Sequence, residues 1–446
     1  MYVNCQKFLV LGVSKSGSQA AKYILSRNAT CYFYEEMRGG KIENAKRELQ
    51  TLGGIEATAE TVEEILKKID VLVISPGVPI NHPIAVKAKS LGKRIMGELE
   101  FGYENLIPTF IAVTGTNGKT TTVSLIDAIM KEAGKKAELV GNVGVPLSSK
   151  IDKADKDALF IAEVSSFQLE SVSAFNPHVA CVLNIAPDHL ERHYSMENYI
   201  YLKKRIFANQ RESEYAVLNF DDGTVKSFYT DLKSKIVWVS SEEEVDGAYS
   251  KDGTLFFKGE KVMEEKEIPL GGKHNVYNAL FAIASCMLCG VNAETASRAI
   301  RGFKGVPFRN QFVGEKNGVI FVNDSKSTNT ASAETAIKAT KIPTVLILGG
   351  SEKGESYVKL FENIKNSAVK HVVLTGRSRR NMLAAADEAG YSDVTMCADF
   401  DVAVKAAAML AKEGEEVLLS PACASFDAFS GFEERGERFN KIVGEL

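Results

Sequence analysis

FIAVTGTNGKTTTVSLIDAIM, residues 110–130, changes character twice along its length. Phe110 to Val113 is an unbroken apolar run, the pattern of a strand buried on both faces of a parallel sheet. Gly115, Thr116, Asn117, Gly118, Lys119, Thr120 and Thr121 then form a turn rich in glycine and hydroxyls, which opens onto a helix. A strand, a glycine turn and a helix N-terminus together present backbone N–H groups to which a phosphate can come close. Lys119 adds positive charge at the transferable phosphate, and the Thr120 hydroxyl suits Mg²⁺. The stretch therefore reads as an ATP-binding loop. Its spacing departs from the common GxxxxGK(S/T), because Val113 stands five positions before Gly118. A glycine turn beside a solvated lysine would explain fewer of these features.

The same succession of strand, turn and helix occurs in FLVLGVSKSGSQAAKYIL from Phe8 and in PTVLILGGSEKGESYVKLF from Pro343. Apolar strands alternating with helices of roughly 10 to 15 residues point to doubly wound α/β layers. Three domains are expected: a Rossmann-like one over 1–94, a central ATPase-like one over 95–305, and a second Rossmann-like one over 306–446. The second division follows from Gly302, Gly305 and Pro307, which break the helix ending near Arg301. From Val217 to Pro269 the chain turns to short strands separated by Asp221-Asp222-Gly223 and Lys251-Asp252-Gly253. These are expected as antiparallel strands appended to a mostly parallel central sheet.

Length and composition agree with this. A chain of 446 residues exceeds one ordinary core, and 45% apolar with 25% charged residues is the balance of a soluble globular protein. A net charge of −3 excludes a broad basic surface, so duplex nucleic acid is not an expected partner. The longest apolar runs, such as Val71–Ile74 and Val345–Leu348, are strand-sized and far below the roughly 18 residues of a membrane span. The first residues read as a strand and not as a signal peptide, so a cytoplasmic location is expected. Nothing marks a large exposed interface, and a monomer is expected. Seven cysteines are dispersed except for Cys286 and Cys289, whose neighbours suggest a packed helix face and not a metal site. Gly12 and Gly17 followed by Glu35 invite a dinucleotide reading, but GxGxxG is absent.

With these motifs in view, the chain resembles the Mur ligases, whose phosphate loop reads TGTNGKTT. The blocks SPGVP at Ser75, GELE at Gly97, GNVGVPL at Gly141, EVSSFQLE at Glu163, LNIAPDHLERH at Leu183, NDSKSTN at Asn323 and SPACASFDAFSGFEERGERF at Ser420 extend the resemblance across all three expected domains. SSFQLE and the last block are similar to the branch of the family that adds D-glutamate. The resemblance implies an ATP-dependent amide ligase that joins D-glutamate to UDP-N-acetylmuramoyl-L-alanine through an acyl phosphate. Two sister activities, addition of another amino acid and folate polyglutamylation, fit the phosphate loop equally but not the last block. A nucleotide-binding protein without catalysis would leave Lys119, Glu163, His189 and Lys203 unexplained as a set.

The roles implied by the resemblance fall on matching positions. Glu163, at the carboxyl end of a strand where such sheets collect ligands, is a Mg²⁺ ligand with Thr120. His189 binds a second Mg²⁺, with Asp188 close by. Lys203 is carbamylated, which would turn a cation into a two-oxygen anion able to hold that second metal. By its position alone Lys203 would read as a solvated helix lysine, and His193 as a surface residue. Asn275 and Asn278, at i and i+3, share a helical face toward the nucleotide, although Asn275 also suits an N-cap. Arg309 and Asp324 contact ATP. Lys326, Lys353, Ser425 and Phe432 bind D-glutamate, two lysines matching a dicarboxylic amino acid. Val13, Ser14, Glu35, Ser75 and Gly77 bind the uridine end of the UDP substrate, and Asn142, Ser165 and Gln168 line its muramoyl and pyrophosphate part. Phe308 and Gln311 stand where the family usually has His and Glu, and Glu35 where Asp is usual.

Overall fold

The computed structural model describes residues 2–106, 109–155, 157–351 and 356–446. The chain packs as two units, one running to Phe303 and the other Lys304–Leu446. The first unit holds two sheets and the second holds one.

The first sheet comprises β1 (Lys7–Leu11), β2 (Thr30–Tyr34), β3 (Ile55–Glu56), β4 (Val71–Ile74) and β5 (Arg94–Gly97), all parallel, in spatial order 3-2-1-4-5. It extends to Gly97, past the division expected at 94. The order reverses between β1 and β4, where doubly wound sheets open a ligand crevice at the strands' carboxyl ends. The turns at that crevice are Gly12–Gly17 and Ser75–Pro79. They fit closely: Ser75 Oγ donates to the Gly12 carbonyl at 2.6 Å, and a Cβ on Gly17 would lie 1.8 Å from that same oxygen. Gly17→Ala is therefore expected to force the two turns apart and lower stability by about 3 kcal/mol, read as a shifted urea midpoint.

The second sheet has nine strands: β6 (Thr109–Thr114), β7 (Ala137–Gly141), β8 (Leu159–Glu163), β9 (Val179–Val182), β10 (Tyr215–Asn219), β11 (Lys235–Ser240), β12 (Gly247–Lys251), β13 (Thr254–Phe257) and β14 (Glu260–Glu264). Their order is 14-13-12-11-10-9-6-8-7. β10, β11 and β12 pair in parallel, and only β13 and β14 are antiparallel. The expectation of antiparallel strands from Val217 onward is corrected accordingly. Asp221-Asp222-Gly223 opens a short helix (Gly223–Lys226) and not a hairpin, because Asp222 caps it by accepting from the Thr224 and Val225 N–H groups.

β6 shows why its run is apolar throughout. Ile111 and Val113 face a core formed with Val123, Ile126 and Met130 of the Lys119–Glu132 helix. Phe110 and Ala112 face the opposite core with Phe160, Phe175 and Leu218. Both faces of the strand are covered, so no polar alternation survives. The order reverses beside β6, and the carboxyl ends of β6, β8 and β9 carry Thr114–Thr120, Glu163–Gln168 and Leu183–His189.

The second unit holds β15 (Gln311–Lys316), β16 (Val319–Asn323), β17 (Thr344–Gly349), β18 (Val369–Thr375), β19 (Val394–Met396) and β20 (Glu416–Leu419), in order 15-16-20-17-18-19. Only β15 runs antiparallel, to β16. The expected α/β architecture of three parallel-dominated sheets is thus observed. Cys286 is buried in the Lys273–Leu288 helix, and burial pushes the Cys289 thiol up to about 11. Among the described residues no three His, Cys, Asp or Glu side chains form a metal-holding group, and no helix is long and apolar enough to cross a membrane.

Candidate active site

The phosphate loop is built around Gly115 and Gly118, both at positive φ. Gly118 (φ +85°) ends the turn directly before the Lys119–Glu132 helix, and a Cβ there would lie 2.4 Å from Asn278 Oδ1. Asn278 is buried. Its Oδ1 accepts from Thr122 Oγ1 at 3.2 Å, and its Nδ2 donates to Asn275 Oδ1 at 3.0 Å. Asn275 in turn donates to the Gly271 carbonyl, while Gly272 occupies the N-cap. The i, i+3 pair therefore shares a face, and Asn275 is not the cap. The two asparagines brace the loop from behind.

The loop is also fixed from the side. Asn117 N–H donates to Asn184 Oδ1 at 2.8 Å, and Thr116 Oγ1 lies 3.1 Å from the Ala186 carbonyl and 3.1 Å from Tyr199 Oη. Asn184 and Tyr199 were not singled out in the sequence; Asn184 lies in the motif ending at His193, but Tyr199 carries no local signal. Lys119 Nζ folds back onto the Gly115 and Thr116 carbonyls at 2.8 and 2.7 Å. Thr121 is half-buried in the first turn of the helix.

Glu163 ends β8 and is buried. Its Oε2 accepts from Thr120 Oγ1 at 2.8 Å, and its Oε1 accepts from Asn142 Nδ2 at 2.7 Å. A hydroxyl at the start of the phosphate-binding helix and a buried carboxylate are hard oxygen donors of the kind Mg²⁺ takes, so this pair fits the ion. Lys203 is buried, contrary to a solvated helix lysine, and its Nζ donates to the Gly115 carbonyl at 2.8 Å. Burial first, and the Lys119 charge second, pull its ammonium down to about 7, against the opposing pull of Asp188 and Glu163.

His189 is half-exposed with φ +52°; its described contacts are Asp188 and Glu191, each at 3.5 Å, and the Phe167 ring at 4.9 Å. His193 is corrected from a surface residue to a core one. Only 1% of its side chain is exposed, and its Nε2 lies 2.9 Å from Ser166 Oγ. It is held inside because the short Leu190–His193 helix turns it under Phe167 and Tyr199, and burial keeps its imidazole below the usual range.

On the first sheet, Val13 N–H donates to Glu35 Oε2 at 2.8 Å, and Glu35 Oε1 accepts from Met37 N–H. The longer acid thus bridges two turns at the crevice. Ser14 occupies the N-cap of the Lys15–Ser26 helix without a side-chain bond. Ser165 and Gln168 engage each other in a capping box. A cavity lined by Ser75, Val78, Gln168 and Ser171 lies alongside.

In the second unit the ends of β16, β17 and β20 gather a separate cluster. Asp324 is buried, accepts from Ser420 Oγ at 2.8 Å and from Asn310 N–H at 3.2 Å, and is pushed up by burial. Lys326 Nζ sits 5.6 Å above the Phe432 ring. Among the described residues Ser425 Oγ is buried with no hydrogen-bond partner, an orphaned group suited to a polar ligand. Arg435, missed in the sequence, is buried and ties the Ser325 and Cys423 carbonyls together. Phe308, with φ +62°, packs its ring toward Gly436 and Phe432, and its N–H donates to Gln311 Oε1. Arg309 donates its N–H to the Val306 carbonyl. Lys353 lies outside the described residues.

A mostly parallel nine-stranded sheet with a glycine–lysine phosphate loop, a buried carboxylate and a depressed lysine defines an α/β enzyme of the nucleoside-triphosphate-using class. Residues 113–286 match the Mur ligase middle domain, and residues 308–423 match the Mur ligase glutamate ligase domain. The UDP-N-acetylmuramoylalanine–D-glutamate ligase of Thermoanaerobacter sp. strain X514 is 40% identical, with 100% of each chain covered. The ligase of the same name from Clostridioides difficile strain 630 is 37% identical over 99% of each chain. The chain belongs to the Mur ligase family. Its fold is also that of the UDP-N-acetylmuramate-alanine ligase of Thermotoga maritima, with TM-score 0.59, 17% identity and 99% of both chains covered. MurF from Acinetobacter baumannii likewise gives TM-score 0.59 at 16% identity, covering 98% of this chain and 93% of that one.

Proposed function

We propose that the chain ligates D-glutamate to UDP-N-acetylmuramoyl-L-alanine at the expense of ATP, as a step in making peptidoglycan precursor. The observation that carries this is the full-length agreement with ligases of that name. The γ-phosphoryl group passes to the substrate carboxylate, giving an acyl phosphate and ADP; the amine of D-glutamate then attacks the acyl carbon, and the C–O bond to phosphate breaks as the amide forms. Bound Mg²⁺, held by Thr120 and Glu163 and at a second position by His189 with a carbamylated Lys203, would supply positive charge against the phosphoryl oxygens.

This chain's own residues provide the rest. The loop N–H groups from Gly115 to Thr121 and the Lys119 ammonium bind the phosphates, and Asn278 holds the loop's curvature. Ser425 and Lys326, with Lys353, receive the carboxylates of D-glutamate, and Phe432 packs against its methylenes. The expected setting is a cytoplasmic monomer. The test is phosphate release by the purified protein with ATP, Mg²⁺ and UDP-N-acetylmuramoyl-L-alanine, across a panel of amino acids. Release with D-glutamate alone is expected. Release with meso-diaminopimelate or L-lysine in its place would overturn the assignment.

A further inference from the structure

The reacting carboxylate must belong to a molecule whose nucleotide end sits at the first sheet, while the phosphoryl donor sits on the second. Something has to keep the two crevices in register, and several described contacts span the two sheets, among them a bridge from Arg27 to Asp152 and the buried Glu98 carboxylate, whose Oε1 accepts from Ser148 N–H at 2.7 Å. Asn81 Nδ2 donates to Tyr194 Oη at 2.9 Å, and Lys15 Nζ donates to the Gly144 carbonyl at 2.9 Å, but both are exposed. One more, at the Ser75–Pro79 turn, is largely buried and centres on Arg192. Its side chain is 16% exposed and that of its partner Glu170 is 9% exposed.

Arg192 makes a forked pair with Glu170, Nε to Oε1 at 3.2 Å and Nη2 to Oε2 at 2.8 Å. Two further guanidinium protons point to the Ser75–Pro79 turn, Nη2 to the Val78 carbonyl at 3.3 Å and Nη1 to the Gly77 carbonyl at 3.4 Å. The guanidinium plane also lies 4.5 Å from the Phe167 ring centre, and that ring touches the imidazole of His189. Glu170 is fixed in its turn, because Arg205 Nη1 donates to its backbone carbonyl at 2.7 Å. A planar fork with five donors can satisfy a carboxylate, two carbonyls and an aromatic face together, which a lysine cannot.

We propose that Arg192 is a positioning residue for the ligation. Anchored by Glu170, it holds the Ser75–Pro79 turn of the first sheet and, through Phe167, the His189 imidazole of the second. The substrate carboxylate and the phosphoryl group it accepts are thereby kept at one distance. This rests on the ligase reading above, and the role is distinct from binding ATP, whose loop Arg192 does not touch among the described contacts.

The test compares wild type, Arg192→Lys, Arg192→Gln, Glu170→Gln and the double variant Arg192→Gln/Glu170→Gln. If wild type released no phosphate with D-glutamate, the ligase reading itself would fail. With an active wild type, Arg192→Gln is expected to raise KM for UDP-N-acetylmuramoyl-L-alanine and lower kcat, each by about tenfold, while KM for ATP stays within about twofold. Arg192→Lys should recover only part of the loss, and the double variant should be no worse than Arg192→Gln. Unchanged constants in Arg192→Gln, an equal rise in KM for both substrates, or full additivity in the double variant would each overturn the proposal.

Discussion

Glu163→Gln is expected to cut D-glutamate-dependent phosphate release by about 10³-fold while leaving the fold intact. The fold survives because the amide has the same shape and its neighbours can adapt. Thr120 can rotate its hydroxyl toward the remaining oxygen, and Asn142 can present Oδ1 in place of Nδ2 to the new NH₂ group. The stability change should stay near 1 kcal/mol, the usual size for a rearranged hydrogen bond. What does not survive is the negative charge. Glu163 is 2% exposed, so no water layer replaces it, and a triphosphate brought beside Lys119 loses the anion that would hold its counter-ion. Glu163→Asp keeps the charge but withdraws it by one methylene, and should lie between the two. Calorimetric binding of Mg²⁺–ATP separates charge from folding: it should weaken in Glu163→Gln with little change in melting temperature. Retention of activity within tenfold of wild type would remove Glu163 from the phosphoryl step.

How much of this was legible in the sequence depended on range. The phosphate loop could be read because its chemistry is local: strand, glycines and lysine are contiguous, and the fold places them as a unit. Parallel order could be read from apolar runs such as Phe110–Val113. What escaped were consequences of distant packing. His193 looks like a loop histidine until Phe167 and Tyr199 close over it. Lys203 sits beside Lys204 and Arg205 in a stretch that resembles a solvated face, yet only Lys203 turns inward to the Gly115 carbonyl. The strands β10 to β12 look antiparallel because their turns are short and polar, but the helical turns Gly223–Lys226 and Ser227–Asp231 carry the chain back so that β11 pairs parallel to β10. Glu170 and Arg192 are 22 residues apart, and nothing in either segment announces the pair.

Lys203→Met is expected to abolish ligation while making the protein more stable near neutral pH. Lys203 titrates near 7 in the folded chain against an ordinary 10.5, so between those values the unfolded chain binds the extra proton and stability rises with pH. Below about 7 the buried ammonium exacts its full cost, which methionine removes. The substitution leaves no orphan behind, because Lys119 Nζ also donates to the Gly115 carbonyl. A gain on the order of 2 kcal/mol at pH 7 is expected, shrinking as pH approaches 10.5. A residue that costs stability and is kept buried beside a phosphate loop has another use. At pH 7.5 an ordinary lysine offers about one neutral amine in a thousand, whereas burial holds a far larger share of Lys203 neutral, and its nitrogen can attack CO₂, losing a proton as the N–C bond forms. The carbamate proposed above would then carry the negative charge that an ammonium lacks. Protein incubated with ¹³C-labelled bicarbonate should show one carbamate carbon resonance that is absent from Lys203→Met, and activity in CO₂-free buffer should fall and return on adding bicarbonate. A Lys203→Met enzyme with wild-type turnover would sink the carbamate and its assigned role together.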